Sequence, residues 1–114
     1  IDAKVDVIGP KSERLPENHE IMIYRVVQEM VNNTLKHAQA KKIDLVLVIH
    51  PDELDINYSD NGIGFDVEKM IDKKSLGIQS IQSRVSFLDG QINIQSSPGK
   101  GTVYRLHIPV HPKE

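Results

Sequence analysis

With 114 residues, 39% of them hydrophobic and 26% charged, the chain is long enough for one core and too ordinary in composition for a disordered segment. Lys+Arg 14 against Asp+Glu 16 leaves a net charge of −2, and no basic stripe is interleaved with aromatics, which argues against nucleic-acid binding. The absence of cysteine excludes a disulfide scaffold and a thiolate metal site, and the longest apolar run, Leu45 to Ile49, is too short to span a bilayer.

Asp2 to Ile8 alternates polar and apolar residues, the period of a half-buried strand, and Gly9-Pro10 ends it. After a polar loop, Ile23, Val26, Val27, Met30, Val31, Thr34, Leu35 and Ala38 recur at three- and four-residue steps, which predicts a helix from about Glu17 to His37. Ile43 to Ile49 is a β-branched and aliphatic run and Leu54 to Tyr58 alternates, so Pro51-Asp52-Glu53 reads as a hairpin turn. Asn61 to Leu76 has glycines, charges and weak periodicity and reads as a mobile loop. A second helix is predicted from near Gly77 to about Leu88, closed by Gly90, followed by a hairpin of Gln91–Ser96 and Thr102–Pro109. Helices separated by antiparallel hairpins imply an α+β fold with helices on one face of the sheet, in a single domain over residues 1–114. With no signal-peptide pattern, and Ile1 rather than Met at the start, the expectation is a soluble domain excised from a longer protein.

On the first helix, at about 100° per residue, Glu29, Asn33 and Lys36 share one stripe and His37 joins its edge. Alone, such a stripe is most often a solvated face. At Ser59-Asp60-Asn61-Gly62-Ile63-Gly64-Phe65, however, an alternating strand stops at an acid and two glycines loosen the chain. A carboxylate at a strand end can accept from an exocyclic amino group and would be repelled by a carbonyl oxygen, which selects adenine over guanine. The bland reading of Asp-Asn-Gly is a type I′ hairpin turn, but no returning strand follows it. Gly77 at a helix start, with Lys73, Lys74 and Ser75 before it, would let phosphate oxygens approach N–H groups, although an ordinary cap has the same appearance. Gly101-Thr102 in isolation is hairpin chemistry. Gly62-Ile63-Gly64 is not a dinucleotide fingerprint and Gly99-Lys100-Gly101-Thr102 is not a P-loop. No His/Asp/Glu cluster has catalytic zinc spacing.

Taken together, Gln28-Glu29-x-x-x-Asn33-x-x-Lys36-His37-Ala38, Asp60-x-Gly62-x-Gly64-Phe65, Leu76-Gly77-Ile78-x-x-Ile81-x-x-Arg84-Val85 and Gly99-x-Gly101-Thr102 resemble, in order, the ATP-binding domain of sensor histidine kinases. The nearest likeness is to the branch whose response regulators carry helix-turn-helix output domains, within the group that includes gyrase-type ATPases. The resemblance implies a two-layer sandwich of Bergerat type, with a mixed, mostly antiparallel sheet on one side, helices on the other and ATP between helix and lid. It also implies Asn33 as a magnesium ligand through its amide oxygen, and Lys36 and His37 on phosphates. Asp60 would bind the adenine amino group, with Thr102 supporting it through its hydroxyl or a water. Gly62 and Gly64 would start the lid against the nucleotide, and Ser75 and Gly77 would meet phosphates. Glu29 matches an acid that activates water in gyrase-like members, so its role in a kinase is open. The family's Gly-x-Gly is Ser75-Leu76-Gly77 here, which narrows backbone freedom at the end of the lid.

The implied activity is protein-histidine kinase, with the γ-phosphoryl group delivered to a histidine on a separate dimerisation domain and a response regulator downstream. The implied setting is a cytoplasmic domain, without membrane contact of its own, in a parent open to membrane anchoring. None of His19, His37, His50, His107 and His111 sits in an acceptor-like pattern, so the isolated chain is expected to bind ATP without phosphorylating itself. The alternatives are an anti-sigma-type serine kinase and a degenerate nucleotide-binding regulatory module.

Overall fold

A computed structural model describes residues 2–9, 17–38, 40–64 and 78–110, with backbone only for 17, 18, 37 and 38. Its elements are β1 (Asp2–Ile8), α1 (Glu17–Asn33), a π-helical turn (Thr34–Ala38), β2 (Lys42–Ile49), β3 (Glu53–Asp60), α2 (Ile78–Phe87), β4 (Gln91–Ser96) and β5 (Thr102–Pro109). The strands form one five-stranded sheet in the order β1-β2-β3-β5-β4. Among the described strands only the β1–β2 pair is parallel, so the sheet is mixed and mostly antiparallel, as the resemblance implied.

The alternation in the strands decides which face is covered. On β3, Leu54, Ile56 and Tyr58 are buried, and on β5 so are Tyr104, Leu106 and Ile108. Ile23, Val26 and Met30 of α1 and Ile81 and Val85 of α2 pack onto that face in the same cluster. Both described helices therefore pack on the same face. Tyr58 and Tyr104 are ladder partners, and their rings meet edge to face with centroids 5.8 Å apart.

Three local expectations are corrected. The alternation of β1 does not produce a half-buried strand: all seven residues are exposed, because β1 is the sheet edge and contributes nothing to the buried cluster. Leu35, placed on the apolar stripe by its spacing, is 58% exposed. The cause is the wider π-helical turn, which starts at Thr34 and breaks the 3.6-residue register. The second helix ends in a left-handed residue, but that residue is Asp89 (φ 58) and not Gly90. Asp89 N–H donates to Ser86 O and Gly90 N–H to Val85 O, both at 2.9 Å, which closes a Schellman motif. Gly90 is needed for space instead, since a Cβ there would lie 2.8 Å from His107 O. The loop expected at Asn61 to Leu76 lies outside the described residues beyond Gly64.

Candidate functional site

Asp60 ends β3 on the side of the strand that Leu54, Ile56 and Tyr58 bury, so the core-facing row finishes in an acid. A shielded carboxylate is tolerated only when its oxygens are hydrogen-bonded. Here Gly62 N–H donates to Oδ1 and Thr34 Oγ1 to Oδ2, each at 2.9 Å. Thr34 Oγ1 also lies 2.7 Å from Tyr58 Oη and 3.2 Å from Met30 O. The hydroxyl has one proton, and the shorter bond to a charged acceptor is favoured, so Tyr58 is the donor to Thr34. Burial, with a further contribution from Asp60, pushes the Tyr58 phenol up to about 12, which keeps its proton in place. The result is a directed chain, Tyr58 to Thr34 to Asp60, that fixes the carboxylate while each oxygen retains a lone pair.

The same turn of helix supplies the amide. Asn33 is buried, and its Nδ2 donates a long 3.5 Å bond to Tyr104 Oη. That leaves Oδ1, the atom a hard cation takes, free of the tyrosine. Burial raises the Tyr104 phenol as well, so it accepts from Asn33 as a neutral group. Glu29 is half-buried one turn earlier on α1, whereas Lys36 is exposed in the π-helical turn. The stripe inferred from helical spacing thus holds for Glu29 and Asn33 and is interrupted before Lys36. The His37 side chain, Lys73, Lys74, Ser75 and Gly77 lie outside the described residues.

Asn61 is no hairpin residue. Its Oδ1 accepts from Lys41 N–H and Lys42 N–H, both at 2.9 Å, tying the end of β3 to the start of β2. Gly64 (φ 69) and Gly101 (φ 72) then let two backbones cross: a Cβ on Gly64 would strike Ser97 O, and one on Gly101 would strike Asp60 O. Gly99 N–H donates to Ile63 O at 2.6 Å across the same crossing. Thr102 is buried and is the ladder partner of Asp60, while its hydroxyl lies 3.0 Å from Ser96 Oγ. The strand pairing sets Thr102 directly beside Asp60.

The arrangement joins a fixed carboxylate, an amide on the residue before the threonine that holds it and a glycine-spaced backbone, and residues 18–112 match the sequence model described as Histidine kinase-, DNA gyrase B-, and HSP90-like ATPase. The chain belongs to that family. Its relatives include the Sensor histidine kinase ComP of Bacillus subtilis, 37% identical over 94 residues that cover 82% of this chain and 12% of ComP. The Signal transduction histidine-protein kinase/phosphatase DegS of Brevibacillus brevis is 37% identical over 106 residues, 91% of this chain and 27% of DegS. The chain thus spans less than a third of these relatives. The fold is shared with the histidine kinase domain of the blue-light activated histidine kinase of Erythrobacter litoralis EL346 (TM-score 0.72, 23% identity, 95% of this chain and 52% of that one). The resemblance read from the four sequence blocks and the sandwich architecture it implied are both borne out.

Thr34, Tyr58 and Tyr104 were not among the site residues expected from the sequence. Each occupies a position where the apolar period requires burial, so each reads as core. The available signal was the hydroxyl itself, since a buried polar atom needs a partner.

Proposed function

We propose that this chain is the ATP-binding catalytic domain of a two-component sensor histidine kinase, acting as one unit over residues 1–114. The supporting observation is the Asp60 carboxylate, fixed from one side by Thr34 and from the other by the Gly62 N–H. It offers acceptors only, which suits the adenine amino group and opposes a guanine carbonyl.

In this reading Asn33 Oδ1 holds magnesium, which when bound neutralises phosphate charge. Lys36 and His37 contact the phosphates, as do Ser75 and Gly77, and Gly62 and Gly64 bring the lid's first residues near the nucleotide. Thr102 supports Asp60 through its hydroxyl or a water, and Glu29 belongs to the site by position. The chain's own contribution is binding and orientation: it presents the γ-phosphorus to an imidazole nitrogen. A P–N bond forms there, the bond to the β-phosphate oxygen breaks, ADP leaves and the imidazole releases its proton. The acceptor belongs to a helical dimerisation domain of the same parent, and the phosphoryl group passes on to a response regulator.

The test is incubation of the 114-residue chain with γ-labelled ATP and magnesium, alone and with a histidine-bearing dimerisation domain. The expected result is no label on the chain and label on the added domain. Label on the chain's own histidines would overturn the separate-acceptor reading.

A further inference from the structure

The face of the sheet opposite the described helices carries a second cluster of side chains. Glu53 and Asp55 alternate outward on β3, and Asp55 is the ladder partner of His107 on β5. His50 is brought over them by the two-residue turn that follows β2, which its N–H closes on Glu53 O at 2.9 Å. His50, Glu53 and Asp55 each place a ligand atom within 4.8 Å of the others. Asp55 divides its oxygens: Oδ1 is 2.8 Å from His107 Nδ1, and Oδ2 is 3.4 Å from His50 Nε2.

We propose that His50, Glu53 and Asp55 form a binding site for a borderline divalent transition ion, zinc first among them, with His107 as a positioning residue. The chemistry is one imidazole nitrogen and two carboxylate oxygens, a set that suits zinc, with water in the fourth position. His107 holds Asp55 by Oδ1 and leaves Oδ2 turned toward His50, the orientation that a hydrogen-bonded carboxylate ligand takes. Donors around tetrahedral zinc at its usual bond lengths lie roughly 3.4 Å apart, so small rotations of three side chains close the site. Those side chains are 36–41% exposed and can rotate without opening the fold. Their Cα positions are set by the β2–β3 turn and the β3–β5 ladder, a rigid base.

The site is separate from the nucleotide. Glu53 and Asp60 are opposite ends of β3, roughly 23 Å apart at about 3.3 Å per residue, and Glu53 and Asp55 face away from the helices. The spacing hid it from sequence reading because the ligands come together only through a hairpin, and the supporting histidine through a cross-strand pairing.

Zinc titration of the full 114-residue chain, in competition with a chromophoric chelator, tests the proposal. One equivalent should bind, and His50→Ala or the double change Glu53→Gln and Asp55→Asn should abolish saturable binding. His107→Ala should weaken it about 10- to 100-fold, while His107→Gln, which keeps a donor for Asp55, should recover much of that loss. Cobalt should give visible bands that disappear in His50→Ala. The Asp60→Asn change should leave zinc binding intact, and the zinc variants should still bind nucleotide if that separate reading holds. No binding at one equivalent, or binding indifferent to His50, Glu53 and Asp55, would show an ion-paired patch only and overturn the proposal.

Discussion

At the scale of single residues, the site depends on where one proton sits. Thr34 must donate to Asp60 and accept from Tyr58, and valine has threonine's shape without the hydroxyl. Thr34→Val should therefore lower unfolding stability by about 1–3 kcal/mol in urea titrations, because it leaves two buried groups without their partner, whereas Thr34→Ser should stay close to the parent. The tyrosines give a pH prediction whose sign follows from their shifts. Both phenols are raised, Tyr58 to about 12, so above about pH 10 the unfolded chain releases protons that the folded chain keeps. Stability present below pH 10 should decline as pH rises toward 12. Phenolate absorbance should show the Tyr58 and Tyr104 phenolates forming only above the ordinary tyrosine range, and their formation near pH 10 in the folded chain would contradict the buried chain. Asp60 and Asn33 were legible from sequence because an acid at a strand end and an amide on a helix edge break a pattern. Thr34, Tyr58 and Tyr104 obey the pattern, and their hydroxyl partners are set by tertiary packing alone.

At the scale of elements, most boundaries follow from periodicity, and the departures have local causes. The π-helical turn after Asn33 has no mark in the hydrophobic period, yet it is what buries Thr34 beside Asp60 while exposing Leu35. The crossing between residues 61–64 and the β4–β5 joint depends on two left-handed glycines at which a Cβ would strike backbone atoms. Gly101→Ala should cost at least about 1–2 kcal/mol from conformation alone, before the collision with Asp60 O is counted, and should weaken nucleotide binding by displacing the carboxylate. A melting temperature unchanged by that substitution would contradict the crossing. The helix end predicts the opposite sign. Asp89 holds a left-handed conformation with a side chain, so Asp89→Gly should stabilise by a few tenths to about 1 kcal/mol, read as a rise in the denaturation midpoint.

At the scale of the whole molecule, both described helices lie on one face of the sheet, and Asp60, proposed to bind the nucleotide, and the outer cluster occupy opposite faces and opposite ends of β3. The layer arrangement was legible because hairpins alternate with amphipathic helices. The position of β1 was not, since alternation reports that a strand could be half-covered and cannot say that it lies beyond the helices. Among the described residues no helix is long and apolar enough to cross a membrane. The proposed recognition of adenine rests on the Asp60 carboxylate. It is tested most directly by calorimetric titration of Mg-ATP into the chain and into Asp60→Asn, with circular dichroism to verify that the variant is folded. Saturable binding that Asp60→Asn weakens by about tenfold or more, together with weaker binding of Mg-GTP to the parent chain, is the predicted result. Equal affinities for the parent and the folded variant, or no binding by the parent at all, would contradict it.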